Sequence, residues 1–334
     1  MPPFAKREIK NSFIKLLTER PISQITVKDI VEDCGVNRNS FYYHFQDIPS
    51  LLEEIIVEMT AKVIENLPEE STFEEKVTAA LQEINLNKRM IYHIYGSSNR
   101  EFYEKLIESD ELPRTSQVSP YDFETSIGEA VADGSEVIVV TMASGLSGTY
   151  QSAVMAADKF DGVYVVDSES VTIGEIILIK YGMQLAKEGC SAAEIVEKLN
   201  ECKKKIHIIA LLDTLEYLKK GGRISKTVAF AGGLLSIKPV VTIQDGAVQV
   251  IGKARGSKQG NNLLVEHIEK AGGIDFDMPI MLGYTGLGDE LLKKYIEDSR
   301  SLWEGHVPSL EYRTIGGTIG THVGPGVIAV AFYA

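Results

Sequence analysis

The sequence predicts a multidomain chain: an all-α helix-turn-helix head followed by a two-unit α/β domain with a mainly parallel sheet. Three observations lead there. The first 45 residues hold short amphipathic segments at helical spacing, separated by a breaker and a glycine. Downstream of Glu136, apolar strand-like runs alternate with helical stretches, the pattern of an open sheet covered on both faces. A chain of 334 residues with 44% hydrophobic content also exceeds one ordinary core, so two or three compact units are expected.

In the head, Ile9, Phe13, Leu16 and Leu17 form one apolar stripe of a helix over Ala5 to Thr18 and leave Lys6, Arg7, Lys10 and Lys15 outward. Pro21 to Ile25 breaks it. Thr26 then caps a second helix, with Asp29 completing a box-like N-terminus, and this helix runs to about Cys34. Gly35 supplies a left-handed turn, and Val36 to Phe45 opens a third short helix with Phe41 and Phe45 facing the core. A formal net charge of -13 repels a polyanion unless a local patch reverses it. The head offers one: residues 1–46 carry seven basic residues (Lys6, Arg7, Lys10, Lys15, Arg20, Lys28, Arg38) against five acidic ones.

The string ITVKDIVEDCGVNRNSFYYHFQDIPSLLEEI resembles the DNA-binding head of the TetR family of transcriptional regulators. The resemblance implies that the third helix enters the major groove. Arg38, Asn39 and Ser40 are then expected to face bases, and Thr26, Tyr42, Tyr43 and His44 to meet phosphates and sugars. The competing reading of Tyr42, Tyr43 and His44 is a packed aromatic cluster. From Leu51 to about Leu106 the chain reads as helix, similar to the first part of a TetR effector and dimerisation region, so a homodimer is expected. The domain boundaries follow: head 1–50, helical connector 51–100, α/β domain 101–334.

In the α/β domain, strands are expected at Glu136 to Thr141, Val163 to Asp167, Ile206 to Leu212, Pro279 to Tyr284 and Gly326 to Phe332. Helices are expected after Ser147 and over Ile176 to Lys187, Ser191 to about Lys203, Lys258 to Lys270 and Asp289 to Arg300. Asp245-Gly246 between VVTIQ and AVQVIG reads as a hairpin turn, so a second unit with an antiparallel element begins near Leu235. Ligands tend to bind where two such units meet.

Four strings carry a second resemblance: TSQVSP (115–120), SGLSGTYQSA (144–153), DTLEYLKKGGRI (213–224) and GTHVGPG (320–326). In this order they resemble the DegV family, over about residues 100–334. The resemblance implies one long-chain fatty acid in a tunnel between two units, presented in some members to a fatty acid kinase, with no catalytic site and no cofactor. It also implies that Thr115, Ser116, Ser144, Gly145 and His322 bind the carboxylate. Arg223 would lie near the tunnel mouth, and Arg255 would support phosphoryl transfer in kinase-linked members. The competing readings are a backbone-bonded loop histidine for His322 and surface charges or ion pairs for both arginines.

The residue chemistry agrees with a carrier. Small hydroxyls and backbone N–H groups at Ser144 to Thr149, after a strand and opening a helix, favour an anion. Each charge-assisted hydrogen bond there contributes about 1.5 to 3 kcal/mol. Burying an acyl chain contributes roughly 0.8 kcal/mol per methylene, hence ~10 kcal/mol for a long chain before ordering costs. The chain sets affinity and the head group sets orientation.

Other classes fit poorly. GGTIGT (316–321) lacks the GK[ST] ending of a nucleotide loop, and Ser144 is not in a G-x-S-x-G elbow. The three cysteines are odd in number and widely spaced, which supports neither disulfides nor a metal site. No apolar run has the length of a membrane helix, and MPPFAKREIK lacks a signal-like apolar region, so a cytoplasmic protein is expected.

The DegV resemblance begins late. A first strand with an Asp-Ser-rich loop, a helix and a hairpin are missing, and truncated TetR-like helices stand in their place, joined near EFYEKL. A sheet edge exposed by that loss is an expected consequence. Three readings remain open on sequence: a lipid-responsive transcriptional regulator, an acyl carrier whose head is vestigial or dimerising, or a fused chain whose parts have no coordinated function.

Overall fold

A computed structural model describes residues 3–20, 22–65, 99–109, 111–224 and 237–334. The chain divides into two compact units, Met1–Glu101 and Phe102–Ala334.

The first unit opens with α1 (Pro3–Glu19), α2 (Val27–Cys34), α3 (Arg38–His44) and α4 (Ile48–Glu65). Local chemistry sets these boundaries. The Thr26 hydroxyl accepts from the Asp29 N–H at 3.2 Å while the Asp29 carboxylate accepts from the Thr26 N–H at 2.8 Å, a reciprocal capping box. Gly35 ends α2 at φ 69, where a side chain would be strained. The third helix begins two residues later than expected because Asn37 caps it, its Oδ1 accepting from the Ser40 N–H at 2.8 Å. Ile9, Phe13, Leu17, Ile30, Phe41, Leu51 and Ile55 form the core. Of the helix expected from Leu51 to Leu106, the start lies in α4 and residues 99–108 are helical, while 66–98 lie outside the described residues.

In the second unit, helical residues 102–108 bury Tyr103, whose hydroxyl donates to the Ile315 carbonyl at 2.8 Å. Then follow α5 (Pro120–Ala130), β1 (Val137–Thr141), α6 (Thr149–Ala157), β2 (Val163–Asp167), α7 (Ile173–Lys187), α8 (Ala192–Cys202), β3 (Ile206–Leu211) and α9 (Glu216–Lys220). Beyond these come β4 (Ile237–Gln244), β5 (Ala247–Arg255), α10 (Gly256–Lys270), β6 (Met281–Tyr284), α11 (Glu290–Asp298), α12 (Arg300–Trp303), β7 (Tyr312–Thr314), α13 (Gly317–Val323) and β8 (Ile328–Tyr333).

The strands form two sheets. β1 and β2 pair in parallel, and among the described residues no third strand joins them. Their side chains alternate: Val139, Val163 and Val165 pack on α5 and α6, while Ile138, Val140 and Val166 pack toward α7 and α8. The larger sheet has the order β5-β4-β3-β8-β6-β7. One face carries Leu211, Val240, Leu282 and Phe332 against Leu264, Leu292 and Trp303 of α10 to α12. On the other, Ile208, Met281 and Ala331 pack on Ile173 and Ile177 of α7.

The expectation of mainly parallel pairing holds for β1–β2 and β6–β7, and the larger sheet corrects it elsewhere: β3–β4, β4–β5, β3–β8 and β6–β8 are antiparallel. The reason is long-range. The last strand, β8, inserts between β3 and β6 against both, and alternation of strands and helices along a chain does not reveal such an insertion. The expected hairpin joins β4 and β5, with Asp245 at φ 50 and Gly246 at φ 69 giving the double positive φ that a two-residue turn needs. Leu235, the expected start of this part, lies outside the described residues.

Candidate functional site

A cavity of about 500 Å³ opens inside the second unit. Val140, Met142 and Leu146 of β1 and its following loop wall one part. Ile208, Ala210, Val241 and Ile243 of the larger sheet wall another, and Ile315, Ile319 and Val327 complete the apolar lining. This size and character suit a mainly apolar ligand held by a few fixed polar groups.

One polar set is built from three distant strings. Thr115 Oγ1 and His322 Nε2 are hydrogen-bonded at 2.8 Å. Arg223 lies in the same wall, its Nε donating to the Leu146 carbonyl at 3.3 Å and its Nη1 to the Gly221 carbonyl at 2.7 Å. Ser116, Ser147 and Thr149 add hydroxyls, with Ser147 and Thr149 bonded to each other at 2.8 Å. Burial first, and then the Arg223 charge, hold the His322 imidazole below its ordinary pKa. A neutral imidazole bonded to a threonine hydroxyl beside a guanidinium can relay donors toward an anion.

Of the expected carboxylate residues, Thr115, Ser116 and His322 come together in the wall, and Arg223, expected near the tunnel mouth, lines it with them. Ser144 and Gly145 stand outside it. The Ser144 N–H is taken by the Asp167 carboxylate at 3.2 Å. Gly145 has a packing role: a Cβ there would come 2.6 Å from the Gly246 carbonyl oxygen, so the β4–β5 hairpin tip can approach this loop only over a glycine. Arg255 is exposed at the end of β5 and also outside the wall, where its N–H donates to Gln259 Oε1 at 2.7 Å.

Sequence reasoning did not single out a second polar set. Thr141, at the end of β1, and Thr172 and Glu175, at the start of α7, also line the cavity. Burial pushes the Glu175 carboxyl up to about 7. Nothing in the local string IGEIIL distinguishes this glutamate from an ordinary first-turn residue; only the tertiary fold turns it to the cavity.

In the head, Arg38, Asn39, Tyr42 and Tyr43 of α3 are exposed, Tyr43 by 70%. Ser40 is corrected: it is only 8% exposed, on the Phe41 side of the helix, so it packs rather than facing outward. Thr26 is exposed, but its hydroxyl is engaged in the capping box. His44 is half-buried beside Tyr43, ring centroids 4.9 Å apart. The basic patch is also thinner than its count suggests. Lys6 and Lys10 bind Glu54, Lys10 also binds Glu58, Lys15 binds Asp33 and Arg20 approaches Asp29. Arg38 has no ion pair among the described residues.

Residues 65–334 match the family model described as uncharacterised protein, DegV family. This chain belongs to the DegV family. The match starts well ahead of residue 100, where the resemblance in the sequence begins. Residues 14–55 match the model of bacterial regulatory proteins of the tetR family, so the head is of TetR type. A DegV domain-containing protein of Caldanaerobacter subterraneus subsp. tengcongensis is 34% identical over 252 residues, 75% of this chain and 88% of that protein. Among solved structures, a DegV family protein from Thermus thermophilus, described for its fatty acid binding, is 30% identical with a TM-score of 0.63, covering 71% of this chain and 85% of that one. A DegV lipid-binding protein from Thermotoga maritima is 28% identical with a TM-score of 0.62, covering 71% and 83%. DegV architecture and a TetR-type helix-turn-helix thus meet in one chain, and among the described residues no helix is long and apolar enough to cross a membrane.

Proposed function

We propose that the DegV unit binds one long-chain fatty acid in its cavity and that the TetR-type head binds DNA, making the chain a lipid-responsive transcriptional regulator of the cytoplasm, working as a homodimer. The observation that carries this reading is the apolar cavity containing the Thr115–His322 pair and Arg223. The relatives described as fatty-acid binding support it.

The carboxylate accepts from the Thr115 hydroxyl, which in turn accepts from His322 Nε2–H, so the neutral imidazole orients the threonine proton toward the ligand. Arg223 supplies the compensating charge. These groups contribute about 1.5 to 3 kcal/mol per charged hydrogen bond, and the acyl chain roughly 0.8 kcal/mol per buried methylene. The polar residues bind rather than catalyse, and no cofactor takes part. Regulation requires that ligand and DNA each shift the other's affinity by the same factor.

Exposure of Ser116 favours a second reading, in which the carboxylate end is offered to a fatty acid kinase, with Arg255 supporting phosphoryl transfer and the head vestigial or dimerising. DNA binding by the delipidated full chain, measured by anisotropy on selected operator sequences with and without oleate, separates the two. An oleate-dependent change in affinity supports the regulator. DNA affinity indifferent to oleate, together with acyl phosphate formation when a kinase is added, supports the carrier.

A further inference from the structure

Thr141 is 3% exposed, and among the described residues its buried Oγ1 has no hydrogen-bond partner, although the residue lines the cavity. Such an unpaired hydroxyl is destabilising unless something in the cavity answers it. Glu175 lines the same cavity, and among the described residues its carboxyl has no hydrogen bond and no ion pair. The backbone holds these two regions together: Ser168 N–H donates to the Thr141 carbonyl at 3.0 Å and Ala143 N–H to the Ser170 carbonyl at 2.7 Å, which leads the chain past the end of β1 straight into α7. Between Ser170 and α7, Thr172 adopts φ 45, a strained conformation for a β-branched residue, and it too lines the cavity. An apolar tunnel for a plain acyl chain has no use for an unpaired carboxyl and an unpaired hydroxyl in its wall, since both lose their water when the chain enters.

Resting on the fatty-acid reading of this cavity, we propose that its preferred ligand is a fatty acid bearing a hydroxyl group along the acyl chain, read by Glu175 and Thr141. The ligand hydroxyl donates to the Glu175 carboxyl and accepts from the Thr141 hydroxyl. One donor and one acceptor on the ligand thereby satisfy two wall groups that otherwise stay empty-handed.

The experiment uses the delipidated full chain and compares stearate with a series of hydroxystearates differing only in hydroxyl position, by calorimetric titration. At least one hydroxystearate is expected to bind tenfold or more tightly than stearate. Glu175→Leu should erase that preference and raise stearate affinity, whereas Glu175→Gln, which still accepts a hydrogen bond, should keep most of it; thermal melting checks that both variants fold. Stearate binding with no hydroxystearate preferred, or a preference that survives Glu175→Leu, overturns the proposal while leaving fatty-acid binding intact. Binding of neither ligand class overturns both, and the stearate arm identifies that case.

Discussion

Thr115 and His322, 207 positions apart in sequence, are joined by a 2.8 Å hydrogen bond in the cavity wall. The bond ties the segment before α5 to α13. It gives a neutral imidazole a defined partner at a point where an anion can replace water.

Thr115→Val removes the hydroxyl and keeps the shape. Fatty-acid affinity is expected to fall about 10- to 100-fold, the loss of one charge-assisted hydrogen bond, with little change in melting temperature because Thr115 is only half-buried. Titration calorimetry with oleate reads the effect, and an affinity equal to the parent's would remove Thr115 from the binding scheme.

Stability should depend on pH through Glu175. Its carboxyl titrates near 4.5 when free and at about 7 in the folded chain. Between those values the unfolded chain has released the proton and the folded chain retains it, so stability is full below 4.5, falls as pH rises, and stops falling above about 7. Each pH unit in that window costs at most about 1.4 kcal/mol. Glu175→Gln should be more stable than the parent in urea at about pH 8 and lose that advantage at about pH 4. A constant difference between the two proteins across this range contradicts the assignment.

Gly145→Ala is expected to destabilise the second unit by about 1 to 3 kcal/mol, since its Cβ would stand 2.6 Å from the Gly246 oxygen and two backbones must separate. Urea denaturation followed by tyrosine fluorescence measures it. An unchanged midpoint would mean that the hairpin tip does not rest on this loop.

For the head, Arg38→Ala should weaken DNA binding several-fold and lower its salt dependence or its sequence preference, whereas Ser40→Ala should leave DNA affinity nearly unchanged because Ser40 is buried. Thr26→Ala should cost about 0.5 to 2 kcal/mol of head stability by removing the cap. Anisotropy titrations at two salt concentrations and thermal melts distinguish these effects. Equal losses of DNA affinity from Arg38→Ala and Ser40→Ala would contradict the exposed-face assignment.

Features encoded by neighbouring residues were legible in the sequence. The Thr26–Asp29 box, the Gly35 turn and the Asp245-Gly246 hairpin each depend on a few adjacent side chains, and their positions follow from local rules. Strand pairing was less legible, because β8 acquires its antiparallel neighbours only when the chain ends inside the sheet. The string GGTIGTHV looks like a loop, yet Gly317 to Val323 is α13. Its glycines answer distant partners: a Cβ on Gly317 would meet the Phe102 ring at 3.0 Å, and one on Gly320 would meet the Tyr103 hydroxyl oxygen at 2.4 Å. The candidate site divides the same way. Thr115, Arg223 and His322 stand in unusual strings, whereas in the Ser144 to Thr149 loop it is Ser147 and Thr149, not Ser144, that line the cavity, because local order does not say which hydroxyl turns inward.

The most direct test of fatty-acid binding is native mass measurement of the protein purified without added lipid, followed by denaturing extraction and lipid mass spectrometry. The account predicts about one long-chain fatty acid per chain, released on unfolding. A folded protein that carries no fatty acid and fails to take up added oleate or a hydroxystearate would contradict it.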